Sequence, residues 1–329
     1  MCGKWMVVLS GLWLLEPTEP VSTNSAAATA ADDQKTLAAD LKALEHAEFR
    51  MREAAAQRLV ARRVTVVPPL SALAQTGSAE ASVRAFELLR QLHRDGDDET
   101  YEAVEATYEA LVQSDNILAA SRAEAAIEAV SAVRHRRALA SFRKLGGLVQ
   151  FESEEDTTDD AAPPPIRAAM INHQWKGGDD GLKFLRRIED FRSAIQLRPP
   201  PGIYFIRGAK ISPEALNGLI AAFGGAVVER GPACLGVMQQ QQGVGEDVLR
   251  IDQVVADSAA GRAGLQSDDI ILEFDDVPIP NFKALVEKIG DRQPGDKIRI
   301  LYSRAGEKQT TTAELLEWTL PPVLKRSRF

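Results

Sequence analysis

Cysteine is nearly absent from this chain. Its 329 residues include only Cys2 and Cys234, which excludes a disulfide framework, and no Cys-x-x-Cys pair exists to hold zinc. The four histidines, His46, His93, His135 and His173, show no His-Glu-x-x-His spacing. No Gly-x-x-x-x-Gly-Lys-Ser/Thr phosphate loop occurs, and Gly243-Val-Gly245 lacks the third glycine of a dinucleotide fold. No metal and no cofactor is therefore expected. Positive charge is also short: 39 Lys and Arg stand against 47 Asp and Glu, a net −8. That balance supplies no global field for a phosphate backbone, so nucleic acid is not an expected partner. The apolar run Trp5 to Leu15 has eleven residues, well under the roughly 20 that cross a bilayer, so no stable transmembrane anchor is expected.

What that run suits is the core of a signal peptide. Lys4 precedes it, and small residues from Ser25 to Ala31 follow. Residues 1–31 are read as a signal peptide, with export to a bacterial periplasm or cell surface as the expectation. A buried N-terminal helix is the alternative.

The whole chain is 45% hydrophobic and 26% charged, as in folded domains rather than disordered ones. Residues 32–150 are rich in Ala, Leu, Glu and Arg. Leu37, Leu41 and Leu44, then Phe49, Ala54, Leu59 and Val60, recur at helical spacing. Segments around Arg52, Arg84 and Arg122 echo one another at steps of 32 and 38 residues. Such a period suits stacked helix pairs, each too thin to bury its apolar face alone. An ordinary helical bundle is the alternative. Residues 151–166 carry Glu152, Glu154, Glu155, Asp156, Asp159 and Asp160 ahead of three prolines, and read as a solvated interdomain linker.

Residues 167–231 alternate turns, short amphipathic helices and β-prone runs. Asp180 and Ser212-Pro213 are helix-start signals, and Ile203-Tyr-Phe-Ile206 and Ala226-Val-Val228 are strand candidates. From 232 to 317 short strands dominate: Val248–Ile251, Ile270–Phe274 and Ile298–Tyr302. Between them lie a helical turn over Ser258–Leu265 and a helix after Asn281, which can cap it, with Gly290 able to end it.

Three resemblances attach to these zones. Residues 32–150 resemble HEAT repeats, and 167–231 resemble a short leucine-rich-repeat segment. Leu235-Gly-Val237, Asp257–Leu265, Asp269–Leu272, Pro294-Gly-Asp296 and Arg304-Ala-Gly306 resemble a PDZ domain of the bacterial HtrA-like type. The combination is similar to multidomain proteins of planctomycete-type bacteria. The fold class implied is multidomain: N-terminal α-helical repeats, a small α/β connector and a mainly β PDZ domain over 232–317.

The PDZ resemblance implies a groove that takes an added strand beside Val237. The backbone N–H groups at Leu235, Gly236 and Val237 would hold a terminal carboxylate. Met238 on the strand and Phe282, Leu285, Val286 and Ile289 on the helix would line the groove. Of these, Phe282 and Val286 are the ones whose place in the groove rather than the core is least determined. The usual Gly-Asp and Asn-Gly turns of the family are Asp268-Asp269 and Asp275-Asp276 here. The Gly-x-Ser-Gly-Gly setting of the HtrA-like serine is absent from the sequence. The expectation is a non-enzymatic scaffold or adaptor that binds protein or peptide C-termini. A substrate-recognition subunit of a separate protease is the alternative. The basic tail, 318–329, ends in Phe329 and is a candidate for self-association through the groove.

Overall fold

The computed structural model describes residues 23–152, 165–192, 201–239 and 248–320, with backbone alone at 23–31 and 192. Residues 153–164, which hold most of the acidic stretch, 193–200, 240–247 and those beyond 320 lie outside the described residues. So do residues 1–22, which hold the apolar run of the expected signal peptide. The chain divides into two compact units, Met1–Ala129 and Val130–Phe329.

The first unit is helical: α1 (Thr23–Ala43), α2 (Phe49–Ala61), α3 (Val67–Thr76), α4 (Ala79–Asp95), α5 (Asp98–Val112) and α6 (Ile117–Ala129). Helix α1 runs across the expected signal-peptide junction at residue 31. Short polar residues start the helices. Ser78 accepts a hydrogen bond from the Ala81 N–H, Asp97 from Thr100 and Asn116 from Ala119, relieving donors that have no partner in a first turn. Pro68 and Pro69 fall in the first turn of α3, where the missing N–H costs nothing. Leu59, Leu70, Phe86, Leu89, Val104, Tyr108 and Leu111 form one core. The three echoing segments map to α2, α4 and α6, every second helix. Their arginines do different work. Arg52 donates to the His46 and Ala47 carbonyls, Arg84 pairs with Glu80, and Arg122 donates to Ser82 Oγ at 2.7 Å.

Histidine placement differs from the solvated or edge position that helical-zone histidines ordinarily take. His93 is buried, and its Nε2 lies 2.9 Å from the fully buried Glu105 carboxylate, which also accepts from Tyr101 Oη at 3.2 Å. Helix periodicity puts residues on a face; it does not say which polar ones find a buried partner there.

The second unit opens with α7 (Ser131–Lys144), followed by β1 (Leu148–Phe151), β2 (Ile166–Ile171), α8 (Lys183–Arg187), α9 (Glu189–Arg192), β3 (Gly202–Ile206), α10 (Pro213–Phe223) and β4 (Val227–Arg230). The strands form one sheet in the order β1-β2-β3-β4, parallel except that β1 runs antiparallel to β2. Two expectations change here. Helix α7, placed with the helical zone 32–150 by composition, packs Ala138, Leu139 and Phe142 into the core of this sheet beside Trp175, Leu185 and Ile203. The stretch 151–166, read as an interdomain linker, joins two paired strands instead. Leu148 faces Met170 across the ladder, and the Glu152 N–H donates to the Pro165 carbonyl at 2.8 Å. Charge and proline disfavour a place in a core, but do not say where the two ends of such a stretch lead.

After Gly231-Pro232 come β5 (Ala233–Cys234), β6 (Val237–Met238), β7 (Leu249–Arg250), β8 (Gln253–Val254), α11 (Ala259–Arg262), β9 (Ile270–Phe274), β10 (Val277–Pro278), α12 (Phe282–Gly290), β11 (Lys297–Arg304), β12 (Glu307–Glu314) and β13 (Leu316–Glu317). The anticipated helix and strands are found, with the strand expected over Val248–Ile251 confined to Leu249–Arg250 and β11 extended at both ends. Asn281 caps α12, accepting from Ala284 N–H at 3.0 Å. Gly290 is the last helical residue rather than the stop. The Asp275-Asp276 turn joins β9 to β10 with φ of 48° and 61°, the left-handed pair that a two-residue hairpin requires. Among the described residues no helix is long and apolar enough to cross a membrane, and no group of ligands suits a metal ion.

Candidate functional site

Strand β6 is the edge on which the site is built. It pairs with β8, Val237 opposite Val254 and Met238 opposite Gln253. Its other edge has no strand partner among the described residues. The Gly236 carbonyl accepts from Val255 N–H at 2.9 Å and the Met238 carbonyl from Asp252 N–H at 3.1 Å. By strand alternation, the N–H and C=O of Val237 between them point to the open edge.

The turn into β6 depends on glycine. Gly236 has φ +82°, and a Cβ there would press on Ser258, with Ser258 Oγ only 2.6 Å away. Ser258 itself caps α11, accepting from Gly261 N–H at 3.2 Å. The Ala260 N–H holds the Leu235 carbonyl at 2.8 Å. The loop Leu235–Val237 is thereby seated on the start of α11 and fixed from behind.

A cavity of about 780 Å³ opens beside this loop, and all eight anticipated residues line it: Leu235, Gly236, Val237, Met238, Phe282, Leu285, Val286 and Ile289. Their roles divide by burial. Leu235, Leu285 and Ile289 are buried members of the core of the C-terminal module and form the floor. Phe282 and Val286, the two whose place was least determined by sequence, are half-buried and form the α12 wall. Helix α12 turns its i+3/i+7 stripe (Leu285, Ile289) fully inward and leaves Phe282 and Val286, undetermined by sequence, at the rim.

Cys234 also lines the cavity. Burial pushes its thiol above the ordinary value, against the pull of the Gly236 N–H, so it stays protonated and unreactive at neutral pH. Away from the groove, Asp269 is the buried anchor of the module. Its carboxylate takes both prongs of the Arg304 guanidinium at 2.8 Å and the Gln266 N–H at 2.8 Å. Burial pushes its pKa up, but Arg304 and the N–H outweigh that and hold it below the usual carboxylate value.

Sequence reading missed residues outside the 232–317 module. Tyr204 and Arg230, from the α/β layer, line the same cavity, as do Trp318, Thr319 and Leu320 beyond β13. The Tyr204 and Trp318 rings lie 4.9 Å apart. Period-2 alternation carried the signal for Tyr204: Ile203 and Phe205 are core, so Tyr204 faces the other way. Nothing in the sequence says what that other face meets.

Residues 233–315 match the family described as the PDZ domain. No curated protein matches the chain. Among solved structures, the HtrA-type protease AlgW with a decapeptide is 26% identical over 34% of this chain and 37% of its own, with a TM-score of 0.26. A serine endoprotease from Yersinia pestis is 21% identical over 34% of this chain and 38% of its own, with a TM-score of 0.25. The chain therefore spans well under half the length of these relatives. A helical N-terminal region is followed by a β-rich C-terminal region that contains a PDZ domain, a peptide- or protein-binding module.

Proposed function

We propose that the protein is a non-enzymatic scaffold or adaptor whose PDZ groove binds a partner's C-terminus or extended segment as a strand added to β6. The observation that carries this reading is the open edge of β6 facing the half-buried Phe282 and Val286 across one cavity, with the glycine-dependent loop at its head. An incoming backbone would complete the hydrogen bonds of Val237, and its side chains would fill the space against α12. The helical unit serves as a second contact platform of HEAT-like pairs, a reading supported by the recurrence of related segments on α2, α4 and α6. The α/β layer is the leucine-rich-like connector, supported by the sequential parallel order of β2, β3 and β4. Export through residues 1–31 accompanies this role.

Titration of the full chain with a C-terminal peptide library, read by fluorescence anisotropy, tests the groove. Val286→Glu places a charge in the groove without entering the core and should abolish binding while leaving the circular dichroism spectrum unchanged. Undiminished binding by a folded Val286→Glu protein would refute the assignment.

A further inference from the structure

The cavity does not stop at the boundary of the PDZ module. The β4–β5 connection is only Gly231-Pro232, and it brings the α/β layer against the C-terminal end of α12. A Cβ on Gly231 would lie 2.5 Å from the Gly290 Cα and 2.6 Å from its carbonyl oxygen, so two backbones touch where no side chain fits. Arg207 ties the same corner, reaching Asp291 at 3.3 Å and Glu229 at 3.2 Å. Trp318 donates its N–H to the Pro232 carbonyl at 2.8 Å and lays its ring against Tyr204.

Sheet parity then determines what the α/β layer shows to the cavity. Register puts Tyr204 beside Val228 and Ile206 beside Arg230. Tyr204 and Arg230 therefore share one sheet face, opposite the face that buries Ile203, Phe205 and Val227. Both are half-buried and both line the cavity with Gly236 and Ile289. Arg230 donates to the Glu229 carbonyl at 3.2 Å, and no carboxylate among the described residues pairs with it. Of the two acidic residues that line the cavity, Asp257 and Glu317, Glu317 pairs with His173 at 3.4 Å. A guanidinium with no carboxylate partner among the described residues, two aromatic rings and the Leu235–Val237 loop thus line one cavity.

We propose that Tyr204, Trp318 and Arg230 form a subsite of the groove contributed from outside the PDZ module. The aromatic pair takes a large aromatic side chain at the last position of a bound chain end, and Arg230 supplies a counter-charge to its carboxylate. This rests on the groove being a peptide site. A flat ring packs well against two rings already tilted apart, and a guanidinium beside a backbone nest strengthens the hold on an anion.

The test uses the full chain and decapeptides identical except at the end: last residue Phe or Ala, terminus a free acid or an amide. Wild type should bind the Phe acid tightest. Arg230→Gln should weaken both acids about tenfold and leave the amides within about twofold. Tyr204→Ala should erase the preference for Phe over Ala, while Tyr204→Phe, which keeps the ring, should retain it. If Arg230→Gln and Tyr204→Ala both behave as wild type while Val286→Glu abolishes binding, the outer subsite is refuted and the groove stands. If wild type binds none of the peptides, the groove reading falls and the subsite with it.

Discussion

Replacing Asp269 by alanine probes what holds the PDZ module together. The Asp269 side chain is 1% exposed and its partner Arg304 is 31% exposed. Breaking a buried pair by removing one partner costs about 3–5 kcal/mol, because the other charge is left without compensation. Arg304 keeps part of its hydration, so the loss here should be about 2–3 kcal/mol. Two further losses lie inside that figure: the Gln266 N–H loses its acceptor, and Arg304 keeps the Gly264 carbonyl and the face of the Tyr302 ring but no carboxylate among the described residues. Urea denaturation followed by tryptophan fluorescence suits the measurement, since Trp318 reports on this unit. With a slope of about 2 kcal/mol per molar, the midpoint should fall by about 1–1.5 M. Asp269→Asn keeps one acceptor oxygen and should lose about half as much.

The pH dependence has a fixed sign. Asp269 is held below its ordinary value when folded. Its contribution is therefore complete above the unfolded value of about 3.9 and is lost as the pH falls through the lower folded value. The gap between wild type and Asp269→Ala should close in that acid window and stay constant from pH 5 to 7. A midpoint shift under about 0.3 M at pH 7, or an equal gap at pH 3 and pH 7, would refute the argument.

Other outcomes follow from the same structure. Asp276→Gly should stabilise the PDZ module by about 0.5–1 kcal/mol by relieving a left-handed aspartate whose ion pair with Arg299 is exposed. Asp275→Gly should destabilise it by about 1–2 kcal/mol, because Asp275 accepts from the Arg299 N–H and from Arg292, each at 2.8 Å; paired urea melts separate the two. Gly231→Val should force the backbone contact with Gly290 apart at a cost of about 1–3 kcal/mol, visible as a second transition in scanning calorimetry. Limited proteolysis within 153–164 should leave fragments that co-elute in gel filtration and separate only in denaturing gels, since β1 and β2 stay paired across the cut. Glu105→Ala should cost the helical unit about 2–4 kcal/mol by circular dichroism at 222 nm, with His93 and Tyr101 losing their shared acceptor.

Much of this protein is legible in its residues because the governing interactions are local. Caps at Ser78, Asp97, Ser212, Ser258 and Asn281 act within three residues of themselves, so helix starts are readable from short polar side chains. The PDZ module follows from the order of strands, turns and one helix. The eight residues that line the cavity beside β6 follow from the same motif, since loop, strand and helix lie within one short module. Long-range assembly decided the rest. Composition assigned α7 to the helical zone, but its apolar stripe is satisfied by Trp175 and the α/β sheet. Charge and proline marked 151–166 as a linker, but only the β1–β2 pairing shows both ends returning to one sheet. The split of Phe282 and Val286 from Leu285 and Ile289 required the rotation of α12 about its axis, which a stripe of four apolar residues leaves open. Tyr204 and Arg230 joined the groove through a glycine–glycine contact at Gly231 and Gly290. A sequence determines which face of a strand a residue occupies, because alternation is local; only the tertiary structure decides what that face meets, because the partner comes from a distant part of the chain.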